Sequence, residues 1–183
     1  MGGTIPKQLQ FLADKPVLAH TLLAFADAPG LQQAVIVLPE DHIPAWEALQ
    51  AQYLAAYPVP ITVVPGGAER TDSVRAGLAA LAAHPGTGTP SLIAVQDGVR
   101  PLADAALIQR VAEAAAQHGA AIPVIPVTDS LRMLQDATHH QPVDRSAYRA
   151  VQTPQIFQEA LLRDAYTQLP PHQPMTDDAT VVE

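Results

Sequence analysis

Short runs of apolar residues alternate along the chain with longer stretches in which apolar residues recur at helical spacing. The apolar runs rich in β-branched residues predict buried strands at 34–38, 61–64, 92–95 and 120–127, the last weakened by Pro123 and Pro126. The helical spacing predicts helices at 17–26, 43–57, 71–83, 105–118 and 157–169. Continuous apolar strands separated by helices are typical of a parallel sheet that helices cover on both faces. The pattern therefore predicts an α/β fold.

A polar segment at about 128–148 interrupts this alternation. It matches no helix of the sheet, and turn-forming residues lie near 139–142, so we expect a two-stranded arm that protrudes from the domain. The loop at 85–90, with its glycines and prolines, is predicted to join a helix to a strand. No internal repeat or linker divides the chain, so residues 1–183 are expected to form one domain.

Composition and charge narrow the classes of function. The chain has 183 residues, no cysteine and a formal net charge of −8. The absence of cysteine excludes a disulfide scaffold and a thiolate metal site. The excess of negative charge argues against a general nucleic-acid or membrane-surface binder, because both partners are polyanions. The most apolar stretch, at 17–28, is too short to span a bilayer and no secretory signal is recognised, so we expect a cytoplasmic protein.

The first candidate ligand loop follows the strand at 61–64. Gly66 and Gly67 allow the backbone to approach a ligand closely, and the helix that follows offers free N–H groups and the positive end of its dipole. Arg70 and Ser73 add hydrogen-bond donors to the same loop. An ordinary turn with a capped helix is the alternative interpretation, and these residues alone leave the two about level.

The second candidate loop follows the strand at 92–95. Asp97 stands at the carboxyl end of that strand, where ligands of such sheets bind, and a single carboxylate suits Mg²⁺ on a phosphate. Arg100 offers two parallel hydrogen bonds to an anion. An Asp–Arg pair that only closes a turn is a serious alternative. Near the N-terminus, Lys7 offers a compact charge for phosphate unless it lies on a frayed end.

The arm carries polar residues that include Asp129, Ser130, Asp144 and Arg145, and ordinary surface polarity explains them as well. The histidines at its tip lack the further ligands at recognisable spacing that a zinc site needs. The sequence contains no Gly-x-Ser-x-Gly elbow and no P-loop Gly-x-x-x-x-Gly-Lys-Ser/Thr. A hydrolase triad and a P-loop ATPase are therefore disfavoured.

Taken together and in order, several motifs resemble one family. They are Gly2-Gly3-x-x-Pro6-Lys7-Gln8, Lys15-Pro16-Val17-Leu18-x-His20-Thr21-Leu22, Gly66-Gly67-x-Glu69-Arg70-x-x-Ser73-Val74, Asp97-Gly98-Val99-Arg100-Pro101, Pro126-Val127-x-Asp129-Ser130, Val143-Asp144-Arg145, Gln152-Thr153-Pro154-Gln155 and Thr176-Asp177-Asp178-Ala179. Over essentially its whole length the chain resembles the 2-C-methyl-D-erythritol 4-phosphate cytidylyltransferases, the nucleotidyl-transfer enzymes of the non-mevalonate isoprenoid pathway. Each motif is weak alone, whereas their order is specific.

The resemblance implies a Rossmann-like nucleotidyltransferase fold, with a mostly parallel sheet, helices on both faces and a protruding β-arm. It implies that the phosphate of methylerythritol phosphate attacks the α-phosphorus of CTP, with Mg²⁺ as cofactor, and that pyrophosphate leaves. It assigns Lys7 as catalytic and gives CTP the residues Lys7, Gly66, Gly67, Arg70, Ser73 and Asp97. It gives the polyol phosphate the residues Asp97, Arg100, Ser130 and Arg145, and the metal Asp97. In the family the arm crosses to a neighbouring subunit, which implies a homodimer with shared sites.

The departures from the family pattern carry an expectation of their own. The family begins with a strand and a glycine loop and continues past residue 183, so the resemblance implies that both parts are missing here. Losing a central strand leaves backbone groups unpaired, so we expect this polypeptide by itself to be poorly stable and weakly active or inactive. Gln96 and Gly98 replace the His and Ala often seen there, a change that we expect to be tolerated, and Ser130 keeps a hydroxyl.

Two alternative functions stay open at this point. A ribitol-5-phosphate cytidylyltransferase of the same fold would use the same chemistry with a different polyol pocket. A non-catalytic nucleotide-binding remnant fits the missing first phosphate loop, whereas the retained Lys7, Asp97, Arg100 and Arg145 favour an enzyme. Turnover with each sugar phosphate separates the two enzymes.

Overall fold

Residues 5–81 and 91–183 are described by the computed structural model of the chain. The motif glycines Gly2 and Gly3 and the predicted loop at 85–90 lie outside these described residues, as does the end of the helix predicted at 71–83.

Helices and strands alternate through the described residues. The α-helices are α1 (Val17–Leu23), α2 (Ile43–Tyr53), α3 (Arg70–Ala80), α4 (Ala105–His118), α5 (Glu159–Gln168) and α6 (Ala179–Val182). The strands are β1 (Phe11–Leu12), β2 (Lys15–Pro16), β3 (Ala34–Leu38), β4 (Ile61–Pro65), β5 (Leu92–Val95), β6 (Ala120–Ala121), β7 (Val124–Pro126), β8 (Arg132–Leu134), β9 (His140–Pro142), β10 (Arg149–Val151) and β11 (Gln155–Gln158). Within these ranges no helix combines the length and the hydrophobicity that a membrane span needs. The predicted α/β class is confirmed.

Strands β3 and β4 form a parallel ladder. Its register runs from Ala34 opposite Ile61 to Leu38 opposite Pro65. Helix α3 packs on both strands. Because the strands are parallel, their carboxyl ends lie at the same edge, and the glycine loop that starts at Gly66 leaves the sheet there.

A second sheet has the strand order β5-β11-β6. Strand β11 is antiparallel to both neighbours, with Gln155 opposite Val95 and Phe157 opposite Ala120. Strands β5 and β6 consequently run in the same direction and are joined by helix α4, as the alternation of strands and helices predicts. Parallel pairing among the described residues is limited to β3 with β4, because β11 inserts between the two strands that the α4 crossover aligns.

Strands β1 and β2 form an antiparallel pair before α1, and the chain between α4 and α5 builds two further antiparallel pairs. The strand predicted at 120–127 is divided at Pro123, and its second half, β7, pairs with β10. Within the segment 128–148, β8 and β9 pair with each other, and every residue of both strands is exposed. A proline has no N–H to give to a ladder, which explains the division.

Three clusters of buried apolar side chains hold the described elements together. The first joins α1, β3 and α2 around the fully buried Trp46. The second joins α3, β5, β11 and α5 around Phe157 and Leu162, which are also fully buried. The third packs α4 on β11 through Ala115 and Ile156. The second cluster brings α5, and the C-terminal segment that follows it, beside α3.

Candidate active site

A cavity of about 790 Å³ lies between the parallel ladder and the second sheet. Its walls are formed by strands β3 and β5 and by helices α1 and α3, which contribute mostly apolar side chains. Its lining also includes Arg70, Ser73 and Asp97, which come after the carboxyl ends of β4 and β5. The cavity runs along the whole length of β3 and β5, and its end at the carboxyl edge of these strands, where ligands of α/β sheets bind, is the candidate active site.

The glycine loop packs tightly against the start of α3. The N–H of Gly66 donates to the backbone oxygen of Leu38 at 2.8 Å, which ties the loop to β3. A Cβ at position 67 would lie 2.3 Å from the Cβ of Asp72, a distance that two carbon atoms do not adopt. Gly67 is therefore required by the close approach of the loop to Asp72 at the start of α3, whereas the predicted approach of this loop to a ligand stays a prediction.

The polar side chains at the start of α3 cap the helix. Asp72 Oδ2 accepts from the N–H of Glu69 at 3.4 Å, and the two residues form a reciprocal capping box. Ser73 Oγ accepts from the N–H of Gly67 at 3.2 Å and donates to the oxygen of Glu69 at 3.3 Å. The capped-turn interpretation is thus realised, and the same bonds hold the Ser73 hydroxyl at the cavity wall.

Arg70, the first residue of α3, is held by a buried carboxylate. Its Nη1 and Nη2 donate to Oδ1 and Oδ2 of Asp178 at 3.0 and 2.5 Å. The Tyr166 hydroxyl donates to Oδ1 of the same carboxylate at 2.6 Å. Asp178 is fully buried, whereas the Arg70 side chain is 32% exposed and lines the cavity. A pair of parallel hydrogen bonds fixes the plane of the guanidinium.

The electrostatics of this cluster keep the arginine charged and the phenol neutral. Burial by itself would lower the pKa of Arg70, but the hydrogen bonds and negative charge of Asp178 outweigh it and raise the pKa. Burial raises the pKa of the Tyr166 hydroxyl, and its hydrogen bond to Asp178 raises that pKa further. The Asp178 carboxylate therefore accepts three hydrogen bonds, two from the charged Arg70 guanidinium and one from the neutral Tyr166 hydroxyl.

Asp97 and Arg100 form an ion pair in the turn after β5. Arg100 Nε donates to Asp97 Oδ2 at 2.8 Å, and Arg100 Nη1 donates to Gln152 Oε1. The backbone N–H of Asp97 donates to Thr153 Oγ1 at 3.3 Å. Gln96 Nε2 donates to the backbone oxygen of Arg100 at 2.9 Å. The Asp–Arg pair that closes a turn is present, and both side chains remain partly exposed.

The donor chemistry of Asp97 fits a magnesium ion. Within 5–81 and 91–183, no group of three or more His, Asp or Glu side chains is arranged to hold a metal ion. Mg²⁺ does not need such a group, because it usually takes one or two protein carboxylates together with substrate phosphates and water. The Asp97 side chain is 35% exposed, and Arg100 engages its Oδ2, which leaves Oδ1 for a cation.

Several predicted site residues lie away from the cavity wall. Lys7 is exposed in a short 3-10 helix (Lys7–Leu9), where its neighbour Gln8 reaches the wall. Ser130 and Arg145 are exposed in the arm segment, and Arg145 Nη1 donates to the backbone oxygen of Thr128. The structure thus brings Arg70, Ser73 and Asp97 to the lining of one cavity. The lining does not include the other predicted site residues, which are Lys7, Gly66, Gly67, Arg100, Ser130 and Arg145.

Sequence reasoning missed the buried residues behind the cavity. Gln155 Oε1 accepts from the N–H groups of Asp178 and Ala179, both at 3.0 Å. Gln155 and Asp178 belong to two of the recognised motifs, but no role could be given to them from the sequence. Their membership of these motifs was the signal in the sequence that could have pointed to them. Their contacts could not be predicted, because Gln155, Asp178 and Arg70 are far apart in the chain.

Comparison with known proteins points to one family. The family described as 2-C-methyl-D-erythritol 4-phosphate cytidylyltransferase matches residues 1–183. A relative of that name from Bacteroides thetaiotaomicron is 42% identical over 184 residues, which cover 100% of this chain and 79% of the relative. Another of that name from Porphyromonas gingivalis is 43% identical over 183 residues, covering 100% of this chain and 77% of the relative.

Solved structures show the same fold. The crystal structure of 2-C-methyl-D-erythritol 4-phosphate cytidylyltransferase from Thermus thermophilus is similar with a TM-score of 0.71 and 34% identity, over 97% of this chain and 77% of that one. The 4-diphosphocytidyl-2C-methyl-D-erythritol synthase of Anaerococcus prevotii has a TM-score of 0.79 over 96% of this chain and 76% of that one. Its identity of 23% supports the fold alone.

Proposed function

Because the chain belongs to the 2-C-methyl-D-erythritol 4-phosphate cytidylyltransferase family, it is a cytidylyltransferase, and we propose how its residues divide the reaction. The enzyme joins CTP and 2-C-methyl-D-erythritol 4-phosphate to give 4-diphosphocytidyl-2-C-methyl-D-erythritol and pyrophosphate. The observation that carries this function is the family match over residues 1–183, with relatives of that name at 42% and 43% identity. A ribitol-5-phosphate enzyme and a non-catalytic remnant are not favoured by it.

The reaction requires positive charge around the phosphates rather than a covalent intermediate with the protein. A phosphate oxygen of the polyol phosphate forms a bond to the α-phosphorus of CTP, while the bond from that phosphorus to the bridging oxygen of pyrophosphate breaks. Two anionic groups must approach each other, so cations and N–H donors have to be placed around the phosphates before the reaction begins. Positioning and electrostatic stabilisation are therefore the work of the side chains.

On the CTP side we propose the glycine loop and the start of α3. Gly66 and Gly67 are proposed to bring the backbone close to the nucleotide, and Ser73 is held at the cavity wall by two hydrogen bonds. Arg70 supplies a fixed positive charge that lines the same cavity. Lys7, next to the cavity-lining Gln8, is proposed to reach the triphosphate at the reacting centre.

Asp97 is proposed as the protein ligand of Mg²⁺. The ion, when bound to the phosphates, neutralises their charge and polarises the reacting phosphorus. Asp97 holds its place through its own backbone N–H to Thr153 and through the ion pair with Arg100. Arg100, beside it, is proposed to orient the phosphate of the polyol.

We propose that the arm completes the polyol-phosphate site in a homodimer. Met133 and Leu134 on the arm are 47% and 72% exposed, and Val124 and Ile125 on β7 are 47% and 51% exposed. A second copy of the chain would cover this apolar surface. Ser130 and Arg145 of the partner subunit would then meet Asp97 and Arg100, which accounts for their distance from the cavity of their own chain.

The activity is tested by release of pyrophosphate from CTP, Mg²⁺ and 2-C-methyl-D-erythritol 4-phosphate, on the longest natural form of the polypeptide. Ribitol 5-phosphate replaces the substrate as the competing polyol. Release with the methylerythritol compound and little with ribitol 5-phosphate is expected. The reverse preference would overturn the substrate assignment, and release with neither would overturn the enzyme.

The role of Lys7 has a matched control, because Lys7 and Lys15 are the two lysines of the chain. Lys15 is paired with Asp14 and is expected to take no part in the reaction. Lys7→Met is expected to lower kcat by about 100-fold or more, as the loss of one preorganised charge does. Lys15→Met should stay near the wild-type rate, and equal losses in both variants would contradict the assignment.

Sharing of sites is tested by mixing two inactive variants. Asp97→Asn damages the core side of a site, and Arg145→Ala damages the arm side. In a mixed dimer one of the two sites combines an intact core with an intact arm. About a quarter of the wild-type activity should return after random exchange of subunits. No return of activity, although mixed dimers form, would contradict sharing.

A further inference from the structure

The buried carboxylate of Asp178 lies behind the cavity rather than in its wall. It is 0% exposed, and both of its oxygens are bonded to side chains from other elements. Arg70, the residue it binds through two parallel hydrogen bonds, extends from this buried site to the cavity surface. A completely buried anion thus binds the guanidinium of a residue that also contributes to the lining of the cavity.

The position of Asp178 is in turn set by β11. Gln155, 1% exposed, accepts the N–H groups of Asp178 and Ala179 on one side-chain oxygen, both at 3.0 Å. Gln155 stands opposite Val95 in the sheet, and Val95 is the last residue of the strand that leads to Asp97. Gln155 therefore positions the Asp178 carboxylate relative to the end of β5, the strand that leads to Asp97.

The same stretch of chain contacts the polyol side of the site. Thr153 Oγ1 accepts from the N–H of Asp97 at 3.3 Å, and Gln152 Oε1 accepts from Arg100. One segment, 152–155, consequently touches Asp97 and Arg100 with its first two residues and carries Asp178 with its last. Segment 152–155 therefore connects the proposed polyol-phosphate residues, Asp97 and Arg100, with the carboxylate that binds Arg70 on the proposed CTP side.

Tethering of α3 does not require the Arg70–Asp178 pair. Arg75, one turn further along α3, donates to the backbone oxygens of Tyr166 and Leu169 at 2.9 and 2.5 Å. Arg163 of α5 donates to the backbone oxygen of Leu78 at 2.6 Å. Neither of these arginines lines the cavity. These bonds join α3 to α5, and the Arg70–Asp178 pair is a separate contact that fixes the orientation of Arg70.

We propose that Asp178 is a positioning residue for the nucleotide, which fixes the Arg70 guanidinium with its free edge toward the cavity, and that Gln155 holds Asp178 in place. This inference rests on the proposed function, because it takes Arg70 to bind CTP. Without the carboxylate, the long arginine side chain samples several rotamers, and the ordering has to be supplied by the nucleotide when it binds.

The test compares Asp178→Asn with Asp177→Asn. The first variant replaces the charged acceptor by an amide of the same shape. The second removes a neighbouring carboxylate that accepts from the N–H and hydroxyl of Thr180 at 2.9 and 2.6 Å. We expect Asp178→Asn to weaken binding of CTP with Mg²⁺ by about tenfold, a change of about 1.4 kcal/mol, and to lower kcat at saturating CTP far less. Asp177→Asn should leave both values near wild type.

A double variant separates positioning from general damage to the fold. Arg70→Gln removes the cation, so adding Asp178→Asn to it should change CTP affinity by less than about twofold. An additional tenfold loss in that background would overturn the proposal, and so would wild-type CTP affinity in Asp178→Asn alone. If Asp178→Asn unfolds, the CTP affinity of the double variant Arg70→Gln/Asp178→Asn is compared with that of Arg70→Gln instead. The double variant removes both charges of the buried ion pair.

The proposed function and this inference fail in different ways. Wild-type protein that binds no CTP overturns the function and the nucleotide role of Asp178 together. Wild-type protein that binds CTP and is indifferent to Asp178→Asn overturns the inference alone. Nitrogen NMR of the Arg70 guanidinium, without nucleotide, should show slow rotation in the wild type and fast rotation in Asp178→Asn. Equal rotation rates would contradict the positioning.

Discussion

Replacing Gly67 with alanine tests how closely the glycine loop packs on α3. The new Cβ would lie 2.3 Å from the Cβ and 3.3 Å from the Cγ of Asp72. Either the loop or the first turn of the helix has to move. Asp72 forms the capping box with Glu69, and the N–H of Gly67 donates to Ser73 Oγ, so the movement also weakens the cap of α3.

Three effects set the change in the free energy of unfolding. Overpacking of this kind costs about 1–3 kcal/mol. Loss of a capping interaction costs about 1 kcal/mol. Alanine restricts the unfolded chain, which offsets about 0.4–1 kcal/mol. The net loss is about 2 kcal/mol, and for a chain of this size it lowers Tm by about 4–8 °C. CTP affinity should fall as well, because the loop leads into α3, whose residues Arg70 and Ser73 line the cavity.

The assay is thermal and urea unfolding of Gly67→Ala alone and in two second-site backgrounds. Asp72→Gly removes both the cap and the Cβ that the alanine would meet, whereas Asp72→Ala removes the cap and keeps that Cβ. We expect Gly67→Ala to cost about 1–2 kcal/mol less in the Asp72→Gly background than in the Asp72→Ala background. Equal costs in both backgrounds would refute the proposed contact.

Three further predictions concern the core, the arm and the turn after β5. Phe157→Ala empties a fully buried position and should lower the free energy of unfolding in urea by about 3–5 kcal/mol, whereas a loss below about 1 kcal/mol would contradict its place in the core. Backbone hydrogen bonds from Thr138 and His139 lower the pKa of Asp136 from 3.8 to about 2. Because the folded-state pKa is the lower one, the ionised carboxylate stabilises the arm turn above about pH 4, and this stabilisation is lost as the pH falls toward 2. Carboxyl-carbon NMR measures the titration midpoint of Asp136, and a midpoint near 3.8 would contradict the prediction. Gly98→Ala brings a Cβ within 3.0 Å of the end of a flexible leucine side chain, so stability in urea should stay within about 1 kcal/mol of wild type, and a larger loss would count against tolerance.

Elements with local signals were predictable from the sequence. The strands predicted at 34–38 and 92–95 and the helix predicted at 105–118 have the bounds that the structure gives to β3, β5 and α4. The helix α4 is also capped as its sequence indicates, with Asp104 accepting from the N–H of Leu107 at 2.7 Å. The spacing of the apolar residues and the capping residues lie inside or next to each element. A short stretch of sequence is therefore enough to predict these elements.

Strand β11 had no such signal. The sequence analysis predicted a helix from residue 157, and the structure has a strand from Gln155 to Gln158 before α5 begins at Glu159. Two glutamines flank two apolar residues, a pattern too short to indicate a strand. The strand forms because its backbone pairs with both β5 and β6, which lie far from it in the sequence. Tertiary pairing decided the local conformation here.

The sequence by itself determined the α/β class and, through ordered motifs, the family, which the comparisons confirm. The ligand-binding roles of all the predicted site residues, and the magnesium cofactor, stay predictions. Only the tertiary structure decided which motif residues stand behind the site, as Asp178 does when it binds Arg70 from the other end of the chain. A buried charge is stable only when its partners surround it, and those partners are assembled by packing of α3, α5 and β11 rather than by any short stretch of sequence.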